Sequence, residues 1–102
     1  MLHVVVAKHE PERCPASVQE IREKYMPNFA RMPEVTGKLG ITMQGGWVDM
    51  PAHMTFMLLD APNAHAVTQL AMDLHLMDWN TVNVRPVIST GEATQKAGAR
   101  QV

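Results

Sequence analysis

Apolar positions along the chain change their period several times, and each change marks an element. LHVVVAKH (residues 2–9) is rich in Val and reads as a strand. Pro11 and Pro15 then punctuate a turn. SVQE (17–20) has the capping-box pattern, and Val18, Ile21, Tyr25 and Phe29 form one helical stripe. Pro27 is expected to kink or end this first helix, with MPEVTGKLG (32–40) as a short continuation closed by glycine. ITMQGGWVDM (41–50) and HMTFMLLD (53–60) read as two strands of a hairpin across Met50-Pro51-Ala52. Gly45-Gly46 marks a bulge in the first of them, and Trp47 beside it is expected in the core. Asp60 and Pro62 signal a second helix start, followed by Ala64, Val67, Ala71 and Leu74 as its buried stripe. TVNVRPVIS (81–89) alternates like a strand, and Pro86 puts it at a sheet edge, because proline cannot donate to a ladder.

The resulting order, βαββαβ, predicts an α+β, ferredoxin-like fold: a four-stranded antiparallel sheet, order 4-1-3-2, with two helices on one face. The strand holding Pro86 is the fourth, an outer strand in that order, so two independent signals agree. One domain over 1–90 is expected, with a polar tail over 91–102 that is frayed or weakly helical.

Composition narrows the class. A chain of 102 residues, 46% hydrophobic, supports one core. The net charge is −1 and no basic block occurs, which argues against nucleic acid or an anionic membrane as partner. No apolar run approaches the roughly 20 residues of a membrane-spanning helix, and LHVVVA is too short for a signal peptide. Cys14 is the single cysteine, so no intrachain disulfide forms and a reducing cytoplasm is the expected location. Nine methionines outnumber the aromatic residues, which suits an adaptable core or soft-metal contacts. Neither a P-loop, a dinucleotide fingerprint nor a Ser-His-Asp order is present.

The topology gathers the chemistry at one end. Strand 1 runs antiparallel to strand 3, so His9 at the end of the first lies beside His53 at the start of the other. The first helix begins at that end with Cys14, and the second returns there with His75 in its last turn. His9, Cys14, His53 and His75 are therefore the candidate metal ligands, with Met57 as a further one. In KHEPERCP (8–15), Cys14 is expected to cap the first helix with Pro15 at the first helical position. The helix dipole and Arg13 would then lower its pKa and favour the thiolate. The same residues serve equally as a rigid turn, and helix-dipole complementarity alone accounts for His75. By strand alternation, Leu2, Val4, Val6 and Met54, Phe56, Leu58 are expected under the helices. Val5, Met57, Asn83 and Arg85 would then share the open face with His9 and His53. That face is too apolar for water, and a second copy packed on it would enclose a semi-polar cavity.

HEPERC (9–14), GWVD (46–49), LLDAPNAHAV (58–67) and RPVIST (85–90), in this element order, resemble the dimeric α/β-barrel superfamily. Within it the chain is similar to small members, some described as nickel-binding. The resemblance covers residues 2–90 and implies a homodimer whose two sheets form a barrel around a pocket. Two functions compete. One is a cytoplasmic homodimer binding nickel or copper near the end of strand 1. The other is a cofactor-independent monooxygenase or isomerase, or a carrier of a small apolar ligand. In the enzyme, Val5 and Met57 would line the pocket, Asn83 and Arg85 would hold a polar group, and His9 would act as acid or base.

Overall fold

The computed structural model describes residues 1–99. Four strands, β1 (Leu2–Lys8), β2 (Thr42–Asp49), β3 (Met54–Asp60) and β4 (Thr81–Val87), form one antiparallel sheet in the order β2-β3-β1-β4. This is the ferredoxin-like arrangement expected. β4 is an outer strand, and Pro86 faces His3 across the ladder without a donor to lose on the far side. Helices α1 (Gln19–Tyr25), α2 (Met32–Leu39) and α3 (Ala64–Asp73) cover one face.

Proline and glycine punctuate as anticipated. α1 stops before Pro27, the chain continues as 3-10 helix over Met26–Arg31, and α2 follows. Gly40 closes α2 in the left-handed region (φ 67°), and the N–H of buried Ile41 donates to the Thr36 carbonyl at 2.9 Å. The β2 register shifts between Met43 and Gly45, the expected bulge. A side chain on Gly45 would collide with the Trp47 ring, which lies over it.

Other local expectations fail for identifiable reasons. α1 starts at Gln19 with Val18 as its unbonded cap, so neither Cys14 nor Ser17 caps it. α3 is capped by Asn63, whose side-chain oxygen accepts from the Ala66 N–H at 2.8 Å. Asp60 instead ends β3 and holds the N-terminal ammonium at 2.8 Å. The tail, expected to be frayed or weakly helical, carries a helix, α4 (Thr90–Ala99), capped by the Ser89 hydroxyl accepting from the Glu92 N–H at 3.1 Å. Residues 100–102 of the expected tail lie outside the described residues. No helix among the described residues is long and apolar enough to cross a membrane.

The largest correction concerns the faces of β1 and β3. The set packed under the helices is His3, Val5 and Ala7 with Met57 and Leu59, all buried, joined by half-buried Val82 and Val84. Leu70 and Val67 of α3, Leu74 just past its end, Val35 of α2 and Leu76 complete this core. Leu2, Val4, Val6, Phe56 and Leu58 lie on the opposite, uncovered face, where Val6 pairs with Phe56 and with Asn83. Trp47, expected inside, joins that face 59% exposed. Both alternate sets of these strands are apolar, so hydrophobicity did not distinguish them. Val5 and Met57 accordingly sit in the core, on the other side of the sheet from Asn83 and Arg85, and the four residues line no common pocket.

Candidate metal centre

Three chain segments converge at the end of the sheet where β1 finishes. His9 directly follows β1, and its N–H donates to the His53 carbonyl at 3.1 Å, extending the β1–β3 pairing by one step. His53 closes the β2–β3 hairpin. Its N–H donates to the Met50 carbonyl at 3.2 Å, and the Asp49 carboxylate accepts from the Ala52 N–H at 3.2 Å. The turn forces His53 into the left-handed region (φ 56°), a conformation in which a side chain is costly outside special sites. Cys14 follows the 3-10 turn Pro11–Arg13, its N–H bonded to the Pro11 carbonyl at 3.2 Å. Arg13 ties this turn down by donating to the Asp78 carbonyl at 2.9 Å.

One donor atom from each of His9, Cys14 and His53 lies within 4.8 Å of the others. The exchange of faces is what lets them meet. All three approach from the helix side of the sheet, where Cys14 is buried. His75 is not among them. It lies past the end of α3 in a left-handed turn (φ 57°), exposed, with its Nδ1 at 3.3 Å from Asp78 Oδ2. Met57 is buried in the core and does not line the cavity that His9, Cys14 and His53 share. Cys14 does not meet a helix N-terminus, and Arg13 is turned to Asp78, so the two influences expected on the thiol are not in place.

Two residues that carry no signal in the sequence organise His9. Asn80 donates through Nδ2 to the Leu76 carbonyl at 3.0 Å, which turns its Oδ1 toward His9 Nδ1 at 3.3 Å. An amide oxygen only accepts, so His9 carries its proton on Nδ1 and presents a lone pair at Nε2. Trp79 packs over the His9 ring at 5.2 Å and stacks on Tyr25 at 6.1 Å. Burial lowers the His9 pKa below 6.5, the Asn80 hydrogen bond works against this, and the neighbouring His53 adds to it. His9 is thus held neutral near pH 7, as a metal ligand must be.

His9 Nε2 and His53 Nδ1 are buried without a hydrogen-bond partner among the described residues. Such atoms cost roughly 1–3 kcal/mol each unless something satisfies them. Two imidazole nitrogens beside a thiol suit a borderline or soft cation and do not suit magnesium or calcium, which take oxygen ligands. Three ligands leave at least one coordination position open. Asn80→Leu should remove the tautomer preference. Losing one hydrogen bond of about 1 kcal/mol shifts the Nδ1–H to Nε2–H ratio roughly fivefold, readable from imidazole nitrogen chemical shifts of the metal-free protein. An unchanged ratio would show that Asn80 does not set it.

Beside the cluster is a cavity of about 300 Å³, walled by Ala16, Met26, Phe29, Val48, Met50 and Trp79 together with the three cluster residues. Val48, Met50 and His53 belong to the β2–β3 hairpin, and Ala16, Met26, Phe29 and Trp79 come from the segments outside it.

Comparisons with known proteins agree with the fold. The family model described as "Domain of unknown function (DUF3303)" matches residues 1–101. No curated protein matches the sequence. Among solved structures, the chain is similar to a 5-chloro-2-hydroxyhydroquinone dehydrochlorinase from Burkholderia phenoliruptrix AC1100, in complex with 2,5-dihydroxybenzoquinone. The TM-score is 0.61 at 14% identity, over 90% of this chain and 98% of that one. It is also similar to SCO4226 from Streptomyces coelicolor A3(2), with a TM-score of 0.54 at 11% identity, over 85% of this chain and 99% of that one. An antibiotic biosynthesis monooxygenase gives a TM-score of 0.48 at 14% identity, over 87% and 100%.

Proposed function

The chain belongs to the DUF3303 family, and from that premise we propose that it is a transition-metal-binding protein whose ligands are His9, Cys14 and His53. One observation carries this reading: His9, Cys14 and His53 each offer a donor atom within 4.8 Å of the others, and each histidine buries an imidazole nitrogen with no hydrogen-bond partner among the described residues. Copper and nickel are favoured ahead of zinc. The set has three ligands where a closed structural zinc site uses four, and copper tops the affinity order for nitrogen and sulfur donors. Metal content of untagged protein, then calorimetric titration of the stripped protein with Ni²⁺, Cu⁺ and Zn²⁺, tests it. One equivalent bound at submicromolar Kd is expected, and no uptake of any of the three would end the proposal.

A second reading, metal-free catalysis on a small ligand, is favoured by the cavity and by the neutral His9 at its wall, suited to act as a base. Arg85 has no part in it, because Arg85 lies on the other face of the sheet. Turnover indifferent to chelator would favour this reading over the first.

We also propose that the uncovered sheet face packs on a second copy of the chain. Val4, Val6, Phe56 and Leu58 are apolar on a face that a water-bathed antiparallel sheet would make polar, and exposed Trp47 adjoins them. With a net charge of −1, two copies repel little. Trp47→Glu should weaken the dimer by about 2 kcal/mol or more, roughly 30-fold, in sedimentation equilibrium. A parent protein that sediments as monomer throughout would dismiss the dimer.

A further inference from the structure

We infer that the cavity beside His9, Cys14 and His53 is a binding site for a small, neutral, single-ring molecule with one oxygen donor, a phenol by class. The contact made by that oxygen rests on the metal reading above. The size and charge of the ligand rest on the cavity itself.

Size comes first. About 300 Å³ is the lower end of the range for small-molecule pockets, room for one ring and its substituents and too little for a nucleotide-sized cofactor. Charge comes next. Among the described residues no lysine or arginine lines the cavity, and Asp49 is the one acidic residue that does. In the metal-free cavity an anionic ligand would lose its water and gain no side-chain counter-ion. Shape follows from the walls. Phe29 and Trp79 offer ring surfaces, with Trp79 held from behind by Tyr25. Met26 and Met50 are flexible thioethers that adapt to a ring edge.

The donor is set by what the cavity adjoins. His9, Cys14 and His53 line it, so the coordination position that three protein ligands leave open belongs to the same space. A hydroxyl oxygen entering there completes the metal's shell while its ring fills the apolar remainder. Metal storage alone requires no such cavity, and an apolar ligand alone requires no such ligand set.

Fluorine NMR tests the inference, with para-fluorophenol and para-fluorobenzoate compared on the metal-stripped protein, where no cation supplies a counter-charge. Para-fluorophenol is followed again on the Zn²⁺-loaded protein, with its zinc content measured. The phenol should bind at least about tenfold tighter than the benzoate, which differs in charge while sharing the ring. Val48→Trp enlarges a wall residue that is itself exposed, and should weaken phenol binding by at least about tenfold without changing the zinc content. Equal affinity for the two probes, or phenol binding untouched by Val48→Trp, would overturn the ligand inference while leaving a zinc-loaded site standing. Protein that takes up none of Ni²⁺, Cu⁺ and Zn²⁺ would refute the metal reading separately. Phenol binding that Val48→Trp abolishes in that same protein would still support the cavity assignment.

Discussion

Cys14→Ser, His9→Ala and His53→Gly should each lower metal affinity by more than about 100-fold, since second-shell changes alone cost 10–100-fold. Each removes one of the three donors grouped within 4.8 Å, and neither His75 nor Met57 stands in that group to replace it. Glycine is the informative replacement at His53. The residue holds a left-handed conformation (φ 56°) that glycine adopts freely, so the hairpin should form at least as well without the side chain. Metal uptake lost with melting temperature unchanged or raised would assign His53 to the ligand set and free it of any role in the turn. Uptake retained in His53→Gly would remove it from the site.

Acid should empty the site steeply. Each ligand that must give up a proton costs the metal about tenfold in affinity per pH unit below that ligand's pKa. For His9 this begins below pH 6.5, because its pKa is lowered, chiefly by burial, against the Asn80 hydrogen bond and with help from His53. Competitive titration across pH 7.5 to 5 measures it, and an affinity flat over that range would mean that imidazoles are not the ligands. The metal-free protein should respond to the same group. Its folded state binds a proton at His9 less readily than the unfolded chain, so stability is full above pH 6.5. It is lost as pH falls from there toward the lowered His9 value. Melting temperatures of parent and His9→Gln would show this as a difference in slope.

The site is partly legible in the sequence. Antiparallel pairing of β1 with β3 puts residues just after one beside residues just before the other, which is enough to bring His9 to His53. Cys14 follows because only a short turn separates it from His9. His75 departs from the expected cluster through a purely local event. α3 ends at Asp73, and the left-handed turn at His75 aims its ring outward, toward Asp78. Asn80 and Trp79 give no signal. They lie about 70 residues from His9, and nothing periodic in the chain announces that an amide there meets an imidazole across the fold.

The order of strands and helices, the break at Pro27, the stop at Gly40, the bulge at Gly45 and the outer position of β4 were determined by the sequence itself. Each depends on the conformations a few neighbouring residues allow, and such constraints act in any context. The face of the sheet that carries the helices was decided only in three dimensions. Alternation assigns a face when one set is apolar and the other polar, and here Leu2, Val4, Val6 and Val5, Ala7 both prefer to leave water. Packing against Leu70 and Val67 of α3 and Leu74 at its end broke the tie, burying His3, Val5 and Ala7. The same choice put His9 and His53 on the side where Cys14 waits, leaving the opposite apolar face uncovered.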